Sequence, residues 1–177
     1  MSDSIHFLKI RNVKSPNRAY STDAGIDFYI PELTQDFCKI LHEKNPNVTF
    51  RQYIEDNQTE IILNPQERIL IPSGIHCQMQ NNRCLIAFNK SGVASKFGLI
   101  VGSCVVDESY QGEIHLSLIN TSNQIVYLTS GMKILQFLEI PIYNSSIDIT
   151  IGKTPEEFYE KETARGPAGF GSTDNKV

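Results

Sequence analysis

The chain has 177 residues, 40% of them hydrophobic, which is enough for one domain with a substantial core and too few to expect two. Its formal charge of −4 is spread along the sequence, with no basic patch for nucleic acid and no cationic face for a membrane. The opening MSDSIHFLKI lacks a basic region followed by a long apolar run, and nothing approaches the roughly 18 apolar residues of a membrane span, so a soluble, intracellular and cytoplasmic protein is expected.

In chain order, short runs rich in Ile, Val, Leu and Phe are separated by Pro, Gly, Asn and Ser. The first are IHFLKI and GIDFYI; later come EIILN, RILIP, IHCQM, RCLIAF, EIHLSLIN, QIVYL, KILQFLEIPIY and SIDITIG. That rhythm predicts an all-β barrel or sandwich. Glu113 to Leu118 alternate polar and apolar, so one face of such a strand is expected buried and the other polar. The four cysteines, Cys38, Cys77, Cys84 and Cys104, have no C-x-x-C spacing and sit mostly within apolar runs, where they are expected as small buried hydrophobes without metal or disulfide.

The stretch from Leu33 to Glu60 breaks the rhythm. Leu33, Phe37, Ile40 and Leu41 form the stripe of an amphipathic helix, and NPN after Lys44 ends it. Phe50, Tyr53 and Ile54 suggest a second, shorter helical turn. This insertion, residues 33–58, reads either as a helical cap packed on the barrel or as a surface for a protein partner.

Further on, NKSGVASKFG (Asn89 to Gly98) passes from a strand into a short helix. There Lys90, Ser91 and Gly92 can hold an anion, or Ser91 can serve as an ordinary cap. In VGSCVVDESYQG, Asp107 and Tyr110 bracket a turn that ends at Gly112; local turn chemistry and a functional hairpin tip are both open. AGID (Ala24 to Asp27) and GMKILQ (Gly131 to Gln136) each set a polar group in an apolar strand. TPEE predicts a helical turn from Thr154 to Tyr159, with the threonine as cap and proline in the first position. The tail RGPAGFGST offers glycines for close backbone approach to a ligand, an arginine fork for phosphate, two hydroxyl donors and a phenylalanine able to stack on a base. Terminal glycine-rich segments are also commonly disordered.

Taken in order, AGID, NKSGVA, VVDESYQG, GMKILQ and RGPAGFGST resemble the five motifs of the homotrimeric dUTP pyrophosphatases, over nearly the whole chain apart from the insertion. The resemblance implies a β jelly roll of residues 1–164 that forms a trimer. Active sites lie between subunits and are closed by a flexible arm, residues 165–177. It implies hydrolysis of dUTP to dUMP and pyrophosphate, with Mg²⁺ as cofactor.

In that scheme Asp107 positions the water that attacks the α-phosphorus, and Asp27 reaches the metal through bound water. Lys90, Ser91, Gly92 and Gln136 stand at phosphate-contacting positions. Tyr110 packs on the deoxyribose, and Val101, Gly102 and Val106 bound the uracil slot. Arg165, Gly171, Ser172 and Thr173 close on the terminal phosphates, and Phe170 stacks on the base. Asn89 and Lys90 replace the usual Pro-Arg of the second motif, Lys133 replaces the arginine of the fourth, and Cys104 stands where glycine is common. Two alternatives remain. A dCTP deaminase relative would carry a glutamate where this chain has Ser117, and a regulatory protein-binding module would use the insertion.

Overall fold

The computed structural model describes residues 4–53, 58–161, 163, 166 and 167. They fall into two units, Met1–Tyr143 and Asn144–Val177.

The first unit is all-β and jelly-roll-like. Strands β1 (His6–Lys9) and β2 (Ile26–Tyr29) precede helix α1 (Gln35–Lys44). Strands β3 (Thr49–Gln52), β4 (Thr59–Leu63), β5 (Arg68–Pro72), β6 (Ile75–Gln78) and β7 (Arg83–Asn89) follow. Helix α2 (Ser91–Phe97) leads into β8 (Leu99–Val101), β9 (Val105–Val106), β10 (His115–Asn120), β11 (Val126–Thr129) and β12 (Lys133–Pro141). All of these strands pair antiparallel, in the orders β1-β6, β5-β10-β8, β11-β4-β3 and β2-β12-β7-β9.

The core follows from the alternation. In β10 Leu116, Leu118 and Asn120 face inward while His115, Ser117 and Ile119 are only half-buried. Phe28 and Phe137, on neighbouring strands, meet edge to face at 4.7 Å, and Phe7 packs on Phe28 at 5.8 Å. Each such fully buried side chain contributes about 1.5–3 kcal/mol over leaving it in water.

The insertion packs on its own chain. Thr34 caps α1 by accepting the Phe37 amide, and Leu33, Phe37 and Leu41 are buried in the core. Asn45 ends the helix and ties it to β5: its amide nitrogen donates to the Leu41 and Leu70 carbonyls, and its oxygen accepts the Leu70 amide. Among the described residues, the second helical turn expected from Phe50 and Tyr53 is replaced by a strand. Thr49–Gln52 is strand β3, paired with β4, because Thr, Phe and alternating polar residues find a free sheet edge beside Ile61 and Ile62; Ile54 lies outside the described residues.

Of the cysteines, Cys84 is buried, Cys38 and Cys77 are partly buried, and Cys104 departs from expectation by being exposed. Among the described residues no helix is long and apolar enough to cross a membrane.

In the second unit α3 (Pro155–Phe158) carries the expected capping box: Thr154 accepts the Glu157 amide, and the Glu157 carboxylate accepts the Thr154 amide at 2.8 Å. SIDITIG, read from its composition as a strand, forms no strand among the described residues. Its Ile147, Ile149 and Ile151 are 80–89% exposed.

Candidate active site

Three strands of one sheet build a charged cleft of about 400 Å³. Its walls include Ala24, Gly25, Asp27, Asn89, Lys90, Lys133 and Gln136, so the AGID, NKSG and GMKILQ stretches meet there although more than 100 residues apart in the chain at the extremes. The register explains the meeting. Asp27 on β2 is opposite Gln136 on β12, which in turn is opposite Phe88 near the end of β7.

A bulge in β12 between Lys133 and Leu135 matters here. Lys133 and Gln136 are three apart, so a regular strand would send them to opposite faces, whereas the bulge leaves Ile134 and Leu135 both buried and returns Gln136 to the face of Lys133. Gly25 leaves the room that this placement of Gln136 uses. A β-carbon there would lie 2.0 Å from Gln136 Oε1, so any larger residue would displace Gln136, whose amide donates to the Asn89 carbonyl at 3.0 Å.

Asp27 is almost wholly buried and takes a lysine on each oxygen: Lys90 on Oδ1, and Lys133 on Oδ2 at 2.9 Å. Hydrogen bonding to Asp27 raises the Lys133 ammonium above its ordinary value, so it is charged at neutral pH. The cleft therefore presents two cations held on one buried anion, and Asp23 also lines it, so what suits it to phosphate oxygens is the two ammonium donors rather than a net positive charge. Ser91 and Gly92 are exposed in the first turn of α2, where Lys90 is the cap residue and makes no side-chain capping bond.

The strands on either side of the Asp107–Gly112 turn do not pair as the expected hairpin: β10 pairs with β5 and β8, whereas β9 runs back along β7 in the other sheet. Asn89 Oδ1 accepts the Val101 amide, the Cys104 carbonyl accepts the Ala87 amide, and Val106 pairs with Leu85. Gly102 lies tight against β10; its amide donates to the Ser117 carbonyl, and a β-carbon on it would come within 2.6 Å of Ser117 Oγ. The Val101 and Gly102 amides are thus already committed, which leaves other backbone groups of the stretch to Val106 for a ligand. Beyond Val106, Asp107 is exposed, and Tyr110 folds back so that its hydroxyl donates to the Glu113 carbonyl. Asp107 follows Val106, which pairs with Leu85, so the register places it by the start of β7.

The two halves are consequently apart within one chain. Asp107 stands beside Cys84 and the lysine pair beyond Asn89, a gap of roughly 20 Å at about 3.3 Å per strand residue. Arg165, Phe170, Gly171, Ser172 and Thr173 lie outside the described residues. Asn89, which departs from the usual second motif, also lines the cleft. Its side chain fixes Val101 and its carbonyl fixes Gln136, and only the polar residue ending an apolar strand hints at this.

A family model, described as dUTPase, matches residues 56–174. The chain belongs to the dUTPase family. It is 41% identical over 115 residues to the deoxyuridine 5'-triphosphate nucleotidohydrolase of Wolbachia pipientis subsp. Culex pipiens (strain wPip), covering 64% of this chain and 72% of that one. Its fold is similar to the Staphylococcus bacteriophage 80alpha dUTPase with dUpNHpp, at a TM-score of 0.68 and 18% identity over 97% of this chain and 98% of that one. It is also similar to the dUTPase of Staphylococcus aureus phage phi11, in which a structural Mg(II) ion is coordinated, at a TM-score of 0.62 and 17% identity over 84% and 97% of the two chains. The dUTPase match begins after Asp27, so it is the Asp27 contacts with Lys90 and Lys133 that join AGID to the rest of the site.

Proposed function

We propose that this dUTPase hydrolyses dUTP to dUMP and pyrophosphate at sites shared between the subunits of a homotrimer. The observation that carries the reading is the separation of Asp107 from Lys90 and Lys133 along β7. One triphosphate cannot touch both groups of the same chain, so a second copy must supply one half. Exposed Ile147, Ile149 and Ile151 support the same conclusion, because a period-two apolar row left in water is a strand face without its cover.

In the mechanism Lys90, Lys133 and Gln136 bind and orient the phosphates, with Ser91 and Gly92 beside them. Asp107 of another subunit accepts a proton from water as its oxygen bonds to the α-phosphorus in line; the bond from that phosphorus to the bridging oxygen breaks and pyrophosphate leaves. Tyr110 packs on the sugar, and the Val101 to Val106 stretch reads uracil. Arg165, Phe170, Gly171, Ser172 and Thr173 close the site. Ser117, beside Gly102, stands where a deaminase would carry a glutamate; its hydroxyl stays protonated at neutral pH and cannot take the proton of a water attacking C4, which disfavours deamination.

The residues suit Mg²⁺ held chiefly by substrate and water. Among the described residues no group of three His, Cys, Asp or Glu could cage a metal, and both Asp27 oxygens already accept lysines, so Asp27 would reach it only through water. When bound, Mg²⁺ supplies charge stabilisation of the leaving pyrophosphate. A cytoplasmic location goes with such a nucleotide substrate. A protein partner at the insertion would meet the exposed face where Arg51 lies over Tyr127 at 4.7 Å and donates to the Tyr53 hydroxyl at 3.1 Å.

Co-refolding tests the shared site. Asp107→Asn and Lys90→Met are each expected to be inactive, whereas a 1:1 mixture refolded together should recover about a quarter of wild-type dUTP turnover, the chance that a site draws each half from an intact chain. No recovery in a properly assembled mixed trimer would overturn it.

A further inference from the structure

Arg11 lies before the dUTPase-matched stretch, yet it grips Glu113 at the end of the turn that carries Asp107 and Tyr110. Its guanidinium donates from Nε to Glu113 Oε1 at 3.0 Å and from its terminal nitrogen to Oε2 at 2.8 Å, the planar two-point pairing that fixes orientation as well as distance. Glu113 Oε1 also accepts the Gly74 amide at 2.7 Å. Gly74 has φ of +76° and lies against the Arg11 stem, so the turn between β5 and β6 is shaped to receive this pair. The Glu113 side chain is thus anchored at three points. Its carbonyl in turn accepts the Tyr110 hydroxyl at 3.0 Å and His115 Nδ1 at 2.8 Å. On the other side, the Arg11 guanidinium lies 5.5 Å from the centre of the Phe37 ring in α1.

We propose that Arg11 is a positioning residue for nucleoside recognition, acting through Glu113 to hold the Tyr110 ring in place. The proposal rests on the dUTPase reading and on Tyr110 packing against deoxyribose. Its logic is geometric. The Tyr110 ring folds back over Gly112, where a β-carbon would meet the phenol oxygen at 2.3 Å, so the ring's position depends on where the Glu113 carbonyl stands. That carbonyl stands where Arg11 and Gly74 pull the side chain of the same residue. A ring fixed this way excludes a 2′-hydroxyl; a loosened ring admits one. Lysine at position 11 keeps a charge for Glu113 but lacks the fork, so it should restore the function only in part. Phe37 ties the same guanidinium to the insertion helix, which makes α1 a second support of the turn.

The test is steady-state hydrolysis of dUTP and UTP by the full-length protein, comparing Arg11→Met, Arg11→Lys and Glu113→Gln with wild type. Arg11→Met is expected to raise KM for dUTP about tenfold while kcat stays within about threefold, and to narrow the dUTP-over-UTP ratio of kcat/KM by about tenfold, with Arg11→Lys intermediate. In a Tyr110→Phe background, which lacks the hydroxyl tie, the effect of Arg11→Met should shrink. An unchanged dUTP-over-UTP ratio in folded Arg11→Met overturns the proposal. If that variant does not fold, an unchanged ratio in Glu113→Gln, which keeps an acceptor for Gly74, does the same. Wild type inactive on dUTP would instead overturn the dUTPase reading, so the two failures are distinct.

Discussion

Lys133 Nζ lies 2.9 Å from the Asp27 carboxylate on the neighbouring strand, and Lys90 occupies the other oxygen of the same group. A buried anion that holds two cations is costly to remove. Asp27→Asn should lower the unfolding free energy by about 2 kcal/mol, less than a fully buried pair would lose because both lysines retain some solvent. The urea midpoint checks this, and a variant as stable as wild type would show that the pair contributes nothing.

Asp107 is exposed, in the turn between β9 and β10, so its role is separable from folding. Asp107→Asn should leave the urea midpoint unchanged and retain binding of a non-hydrolysable dUTP analogue, while turnover falls by about 10²–10⁴-fold. Near-normal turnover would remove Asp107 from the mechanism.

Acid should weaken the fold around Glu113. Burial lowers the His115 ring from its ordinary value of 6.5, its Nδ1 being held by the Glu113 carbonyl and its Nε2 buried without a partner. Below pH 6.5 the unfolded chain gains a proton that the folded chain resists, so this stability is present above 6.5 and is lost as pH falls towards the lowered folded value. Glu113 behaves in the same sense at lower pH. Burial would raise its carboxyl, but the bonds from Arg11 and Gly74 outweigh this and leave it below its ordinary 4.5. Urea midpoints measured from pH 7.5 to 5 should therefore decline in wild type and flatten in His115→Gln; parallel declines would refute the assignment.

The insertion should behave as part of the domain. Asn45 makes three side-chain hydrogen bonds, two of them to Leu70 on β5, so Asn45→Ala should cost about 2–3 kcal/mol. A loss under about 0.5 kcal/mol by thermal or urea unfolding would show α1 to be loosely attached.

Much of this protein is local enough to be written in its sequence. The period-two runs mark strands such as β10, the spacing of Leu33, Phe37 and Leu41 marks α1, and Thr154 with Glu157 marks the cap of α3, because each depends on neighbours within one or two turns or pleats. The residues of the motifs are equally legible as types. What tertiary structure decided is where they stand. Thr49–Gln52 became a strand because β4 offered an edge, and a one-residue bulge brought Lys133 to the face of Gln136. The lysines on Asp27, the grip of Arg11 on Glu113 and the distance of Asp107 from the phosphate cleft all arise from register between strands far apart in sequence. No local pattern encodes that register; it is set by which buried faces can close over one core.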